Sequence, residues 1–103
     1  MSTKTLGGKT IEINEEGYMV VSDQWDKNVA KDLAGEEQIE LTETHYAVLE
    51  FLRKKAMDGD SITIRSVGKS GIIDIKQFYK LFPGGPLKKA SKIAGISKPS
   101  SCV

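Results

Sequence analysis

The chain contains one cysteine, Cys102, at the last position but one of its 103 residues. A thiol acts as a nucleophile through its thiolate form, and a thiolate can attack a sulfur atom, hold it and pass it on. One cysteine rules out an internal disulfide framework. With His45 as the only histidine, the soft ligands are too few for a stable zinc or iron–sulfur site. No metal and no dissociable cofactor are therefore expected. Cys102 follows Lys98-Pro99-Ser100-Ser101 and precedes Val103, so it has little apolar company, and terminal segments of this kind are exposed unless tied down. Lys92 and Lys98 favour the thiolate by their charge, while the nearby terminal carboxylate opposes it. His45 falls in the first turn of the longest predicted helix and is read as a structural group rather than an acid–base catalyst.

Presenting such a thiol takes a folded body, and the hydrophobic pattern supplies one. Leu6-Gly7-Gly8-Lys9 reads as a tight turn. Thr10 to Ile13 alternates polar and apolar, Asn14 to Gly17 turns the chain again, and Tyr18 to Val21 is a β-favouring run. The expectation is a small N-terminal antiparallel β-meander. From Ser22 onward the period is helical. Asp23 or Asp26 caps a helix running to about Leu33 with Gly35 at its end. Thr42 caps a helix from Glu43 to Met57, whose Val48, Leu49, Leu52 and Ala56 fall on one face, and Gly59 closes it. Ser61 is expected to cap a short helix from Ile62 to Val67, and a glycine turn leads to another over Asp74 to Leu81. Pro86 opens the last helix, Pro86 to Ala94, because its missing N–H costs nothing at a first position. Gly95 ends that helix and is the expected hinge. Trp25, Tyr46, Phe51 and Phe82 read as core aromatics.

The predicted class is α+β: a β-meander packed on about five helices, forming one domain over 1–95 with a flexible C-terminal arm over 96–103. Pro99 and the serines at 97, 100 and 101 favour an extended arm. Seven residues from Gly95 to Cys102 reach at most about 23 Å. Apolar residues make up 39% and charged residues 28%, which fits a globular chain and not a disordered one. The formal net charge of +1 gives no electrostatic reason to expect a general nucleic-acid binder. No apolar run approaches the roughly 20 residues that cross a bilayer, and Met1 to Lys9 lacks the apolar stretch of a signal peptide. A cytoplasmic protein with no membrane partner is expected.

The last third of the chain resembles the DsrC/TusE family, which groups the gamma-subunit-like partners of dissimilatory sulfite reductase with tRNA-thiolation sulfur-relay proteins. The resemblance rests on Tyr79-Lys80-Leu81-Phe82-Pro83-Gly84-Gly85-Pro86, on Ala90 through Pro99, and on the closing Cys102-Val103. Weaker matches extend it to Glu15 through Tyr18, Trp25, Leu41-Thr42, His45-Tyr46, Phe51-Leu52-Arg53 and Ile64-Arg65. It implies a sulfur relay in which Cys102 accepts sulfur as a persulfide from a donor protein and hands it to an acceptor enzyme, of the sulfite reductase or tRNA-thiolation kind. The chain would then be a sulfurtransferase-like protein co-substrate. Arg65, at a matching position, would support the arm or an anionic sulfur species, or serve as an ordinary surface arginine. Sulfite-reducing members carry a second cysteine eleven positions before the first, which here is Ser91. The two-cysteine cycle is thus absent, as in TusE-like carriers, although the segment before Tyr79 is shorter than in TusE. Ser91 is read as a solvated or capped hydroxyl on the last helix.

Two other classes stay open. One is a docking or regulatory subunit associated with sulfite reductase that carries no sulfur. The other is a DNA-binding regulator, because Ser61 to Leu81 has the helix–turn–helix order.

Overall fold

The structure, a computed structural model, describes residues 2–60 and 62–98. Strands β1 (Ser2–Leu6) and β2 (Lys9–Ile13) form an antiparallel hairpin around Gly7-Gly8, with Ser2 opposite Ile13 and Leu6 opposite Lys9. A single helical turn over Ser22–Gln24 leads into five helices: α1 (Lys27–Glu36), α2 (Glu43–Met57), α3 (Ile64–Gly68), α4 (Ile75–Leu81) and α5 (Pro86–Ile93). The α+β class and the helix count agree with the sequence reading.

The expected meander is reduced. Ser2–Leu6, not expected as a strand, pairs with β2, while the Tyr18 to Val21 run contributes only one bridge, Ile13 to Met19. Tyr18 and Met19 are 5% and 4% exposed and adjacent. A strand points neighbouring side chains to opposite faces, so burying both pulls the chain out of the ladder. α1 also runs past its expected end. Gly35 lies inside it, and Gln38 (φ +59°) takes the left-handed position instead. The N–H of Ile39 closes onto the Ala34 carbonyl at 2.9 Å, which brings Ile39 into the core.

The N-caps follow local chemistry. Asp26 accepts from the Val29 N–H, and its carboxyl is held below its ordinary value by the hydrogen bond from Lys9 first and by that N–H second. Thr63, not Ser61, caps α3. Its hydroxyl accepts from the Ser66 N–H and the Ser66 hydroxyl accepts from the Thr63 N–H, both at 3.0 Å. A cap at Ser61 would place Ile64 three residues on, with no side-chain acceptor to return the bond; Ser61 lies outside the described residues. Asp74 and Gln77 form the same reciprocal box at α4.

α2 buries His45, Val48, Leu49 and Leu52, spaced i, i+3, i+4, i+7, and each such apolar side chain contributes about 1.5–3 kcal/mol. α5 packs against α1, α2 and α4, with Leu87, Ala90 and Ile93 fully buried. Of the four predicted core aromatics only Phe82 is fully buried; Trp25, Tyr46 and Phe51 flank the core, and Phe78 joins Phe82 inside it. No helix among the described residues is long and apolar enough to cross a membrane.

Candidate functional site

The end of α5 is where the chain leaves the body toward Cys102, which itself lies outside the described residues together with 99–101 and 103. The helix closes there in a double bond pattern. The Gly95 N–H reaches the Lys92 carbonyl and the Ile96 N–H reaches the Ser91 carbonyl, both at 3.2 Å. This is the Schellman arrangement, with Gly95 at φ +70° in the left-handed position. Ile96, placed by sequence at the start of the arm, is 5% exposed and belongs to the core. The first exposed residue is Ser97. Gly95 is buried and pressed against Trp25 and Met19, so the packing holds the expected hinge position on both sides.

Two carbonyls near the end of α5 go to side chains from distant segments. The Trp25 indole N–H donates to the Ile93 carbonyl at 2.8 Å. The Arg53 guanidinium donates to the Ala94 carbonyl at 2.9 Å and to the Ser22 carbonyl at 3.1 Å. It also lies over the Trp25 ring, 4.4 Å from its centroid. Burial pulls the Arg53 pKa down and Asp23 opposes the shift, but an arginine stays charged throughout. Beside this cluster a groove of about 330 Å³ opens, lined by Met19, Asp23, Arg53, Met57, Ile96 and Ser97 among others. The sequence singles out Trp25 as a core aromatic and assigns Arg53 no role of its own. Both positions are among the weaker family matches, which was the one signal that could have singled them out.

The predicted supporting cations divide. Lys98 pairs with Glu16 at 2.9 Å, and the Lys92 side chain crosses over Gly17, so close that a Cβ there would meet its Cε at 2.9 Å. The two lysines thus converge on the turn after β2. Arg65 is exposed on α3, and its side chain makes no hydrogen bond or ion pair among the described residues. No group of three or more metal-ligating side chains occurs among the described residues.

Ser91 departs most from expectation. It is fully buried in α5, and its hydroxyl has no hydrogen-bond partner among the described residues. The reading as a solvated or capped hydroxyl fails because α5 turns that position inward against the other helices. An orphaned buried hydroxyl costs about 1–3 kcal/mol, and alanine is also the better helix former. Ser91→Ala is therefore expected to raise stability by about 1–2 kcal/mol, a gain of several degrees in melting temperature for a chain of this size. A calorimetric scan beside the parent checks this; a lower melting temperature would show that the hydroxyl has a partner.

Comparison with known proteins gives one answer by sequence and by structure. Sulfurtransferase TusE of Buchnera aphidicola subsp. Schizaphis graminum is 40% identical over 111 residues, covering 98% of this chain and 95% of the relative. Allochromatium vinosum DsrC, solved by NMR, superposes with a TM-score of 0.83 at 34% identity, covering 98% of this chain and 97% of the other. The oxidized gamma-subunit of the dissimilatory sulfite reductase from Archaeoglobus fulgidus gives 0.83 at 32% identity, covering 99% and 100%. The family described as DsrC like protein matches residues 5–103, a span that takes in both the arm root and Cys102, and the chain belongs to that family.

Proposed function

We propose that this protein is a sulfur carrier whose Cys102 takes up sulfur as a persulfide and relays it to a partner enzyme. The observation that carries the reading is the family match over 5–103, with a relative named sulfurtransferase at 40% identity across nearly the whole chain. In the carrier step the Cys102 thiolate attacks the outer sulfur of a donor persulfide. The donor's S–S bond breaks, a new S–S bond forms on Cys102, and the donor leaves as a thiolate; no net oxidation occurs. Delivery repeats the exchange on the acceptor. Because the chain holds no second thiol and a hydroxyl forms no disulfide, Ser91 cannot retain sulfur with Cys102 as a trisulfide. Sulfur would travel as one persulfide at a time.

The body ends at Ile96, and the segment from Ser97 acts as the arm. Five residue steps lead from Ser97 to Cys102, a reach of at most about 17 Å, which suits insertion into a recessed active site. The partners are a sulfur-donor protein and an acceptor enzyme of the sulfite reductase or tRNA-thiolation kind.

The test is intact-mass spectrometry of the reduced protein after incubation with a cysteine desulfurase and cysteine. The expected result is a gain of about 32 Da, one sulfur atom, that a thiol reductant removes and that Cys102→Ala abolishes. Equal loading of the Cys102→Ala variant, or no loading from several sulfur donors, would refute the carrier reading in favour of a docking subunit.

A further inference from the structure

We propose that the surface carried by α3 and α4 binds RNA, with Tyr79 stacking on an unpaired base and the surrounding cations meeting the phosphates. The inference goes beyond the sulfur chemistry and stands whether or not Cys102 carries sulfur. The net charge of +1 is the remainder of two opposite halves. Residues 1–60 hold seven basic and thirteen acidic side chains, and residues 61–103 hold eight basic and one acidic. Such asymmetry is the electrostatic footprint of a polyanion partner, which the net charge conceals. In the first half Lys4, Lys9 and Lys55 pair with Glu36, Asp26 and Asp60. In the second half Lys98 pairs with Glu16, while Arg65, Lys69, Lys76, Lys80 and Lys88 are exposed and form no ion pair among the described residues. The helices that carry them pack in series, α3 on α4 and α4 on α5. The single acid, Asp74, is committed to the cap of α4, where it accepts from the Gln77 N–H at 2.8 Å.

Three features favour RNA over other polyanionic partners. Lys76 and Lys80 lie one turn apart on α4, and Tyr79, 46% exposed, stands beside Lys76 at i+3 spacing. Ile75, one turn before Tyr79 and 43% exposed, widens the apolar platform. A ring exposed among cations stacks on a base while the cations take the adjoining phosphates, and RNA loops supply the unpaired bases that a DNA duplex withholds. Reading a duplex groove falls to the first residues of a recognition helix. Here the Gln77 side chain instead turns back to accept from the Asp74 N–H at 3.3 Å. Protein interfaces are depleted in lysine, whereas seven of the eight cations in this half are lysines. Glu16 and Glu37 share the groove of Lys88, Lys89 and Lys92, so α5 contributes less and α4 is the centre of the surface.

The probe is a fluorescein-labelled RNA hairpin with an open loop, followed by anisotropy as the whole protein is added, beside a fully paired RNA duplex of the same length. The expected result is binding at about 50 mM salt that weakens about 20- to 40-fold at about 200 mM, as three phosphate contacts require. Lys76→Gln combined with Lys80→Gln removes about two-thirds of that salt dependence. Lys31→Gln combined with Lys54→Gln, at exposed lysines of the other half, leaves it unchanged. Tyr79→Leu weakens hairpin binding at least about fivefold and duplex binding less than about twofold, and Tyr79→Phe restores the parent affinity. Circular dichroism shows that each variant is folded. No binding at the lower salt, equal losses from the two lysine pairs, or hairpin binding by Tyr79→Leu at the parent's affinity overturns the proposal. So does displacement of the hairpin by polyglutamate as effectively, per charge, as by unlabelled RNA, an outcome that assigns the surface to an acidic protein.

Discussion

Gly95→Ala is expected to destabilise the protein by about 2–5 kcal/mol, a large share of the 5–15 kcal/mol that holds a typical domain together. Two costs add. The position has φ +70°, and the left-handed conformation costs an alanine about 1–2 kcal/mol. The new Cβ would also stand 2.5 Å from Trp25 Cδ1 and 2.8 Å from Met19 Sδ, and overpacking of this kind costs about 1–3 kcal/mol. Met19 can swing away, but the indole is held by its bond to Ile93 and by Arg53 above it. Gly59 provides the control. It also follows a helix end, at φ +76°, yet a Cβ there meets nothing within 4 Å. Gly59→Ala should therefore show the backbone cost alone, about 1–2 kcal/mol. Urea melts of the two variants separate the terms; equal losses would mean that the Trp25 side gives way and the arm root is not tightly packed.

His45→Ala should cost about 2–4 kcal/mol, because the ring ties the start of α2 to the end of α4 from a site only 6% exposed. Its Nδ1 accepts from the Thr42 N–H at 3.1 Å, completing the capping box of α2. Its Nε2 lies 3.0 Å from the Leu81 carbonyl at the end of α4, so the neutral tautomer with the proton on Nε2 satisfies both partners. The ring also meets Phe82 edge-on at 5.2 Å between centroids. Removing the imidazole orphans a carbonyl, opens the box and leaves a void beside Phe82, and these terms together give the estimate. His45→Gln discriminates between them. Glutamine is a normal third residue of a capping box but lacks the ring, so about half of the loss should return. Full recovery would reduce the role of His45 to capping, and no recovery would assign it to the contacts with Leu81 and Phe82. In either case Cys102 should react with small disulfides as in the parent, since His45 serves the fold.

What the sequence determined by itself lies within a few residues of chain. Thr42 and the apolar spacing of α2 predict that helix to the residue, Pro86 marks the first residue of α5, and the Leu81 to Pro86 motif with Cys102 identifies the family. Caps, periodicity and turn chemistry act over one or two turns and can be read in one dimension. The reading of Ser61 as the cap of the third helix went wrong at this same scale: Thr63 is the cap, because Ser66 returns its bond. The tertiary structure decided everything that depends on residues far apart in the chain. Arg53 to Ala94, Trp25 to Ile93 and His45 to Leu81 join positions 41, 68 and 36 residues apart, and no spacing rule reaches that distance. The burial of Ser91 belongs to the same class: serine is usually exposed, and only the packing of α5 against α1, α2 and α4 turns its hydroxyl inward. Ile96 likewise looks like the start of a tail in sequence, and becomes the last residue of the core because the Gly95 turn folds it back onto the body.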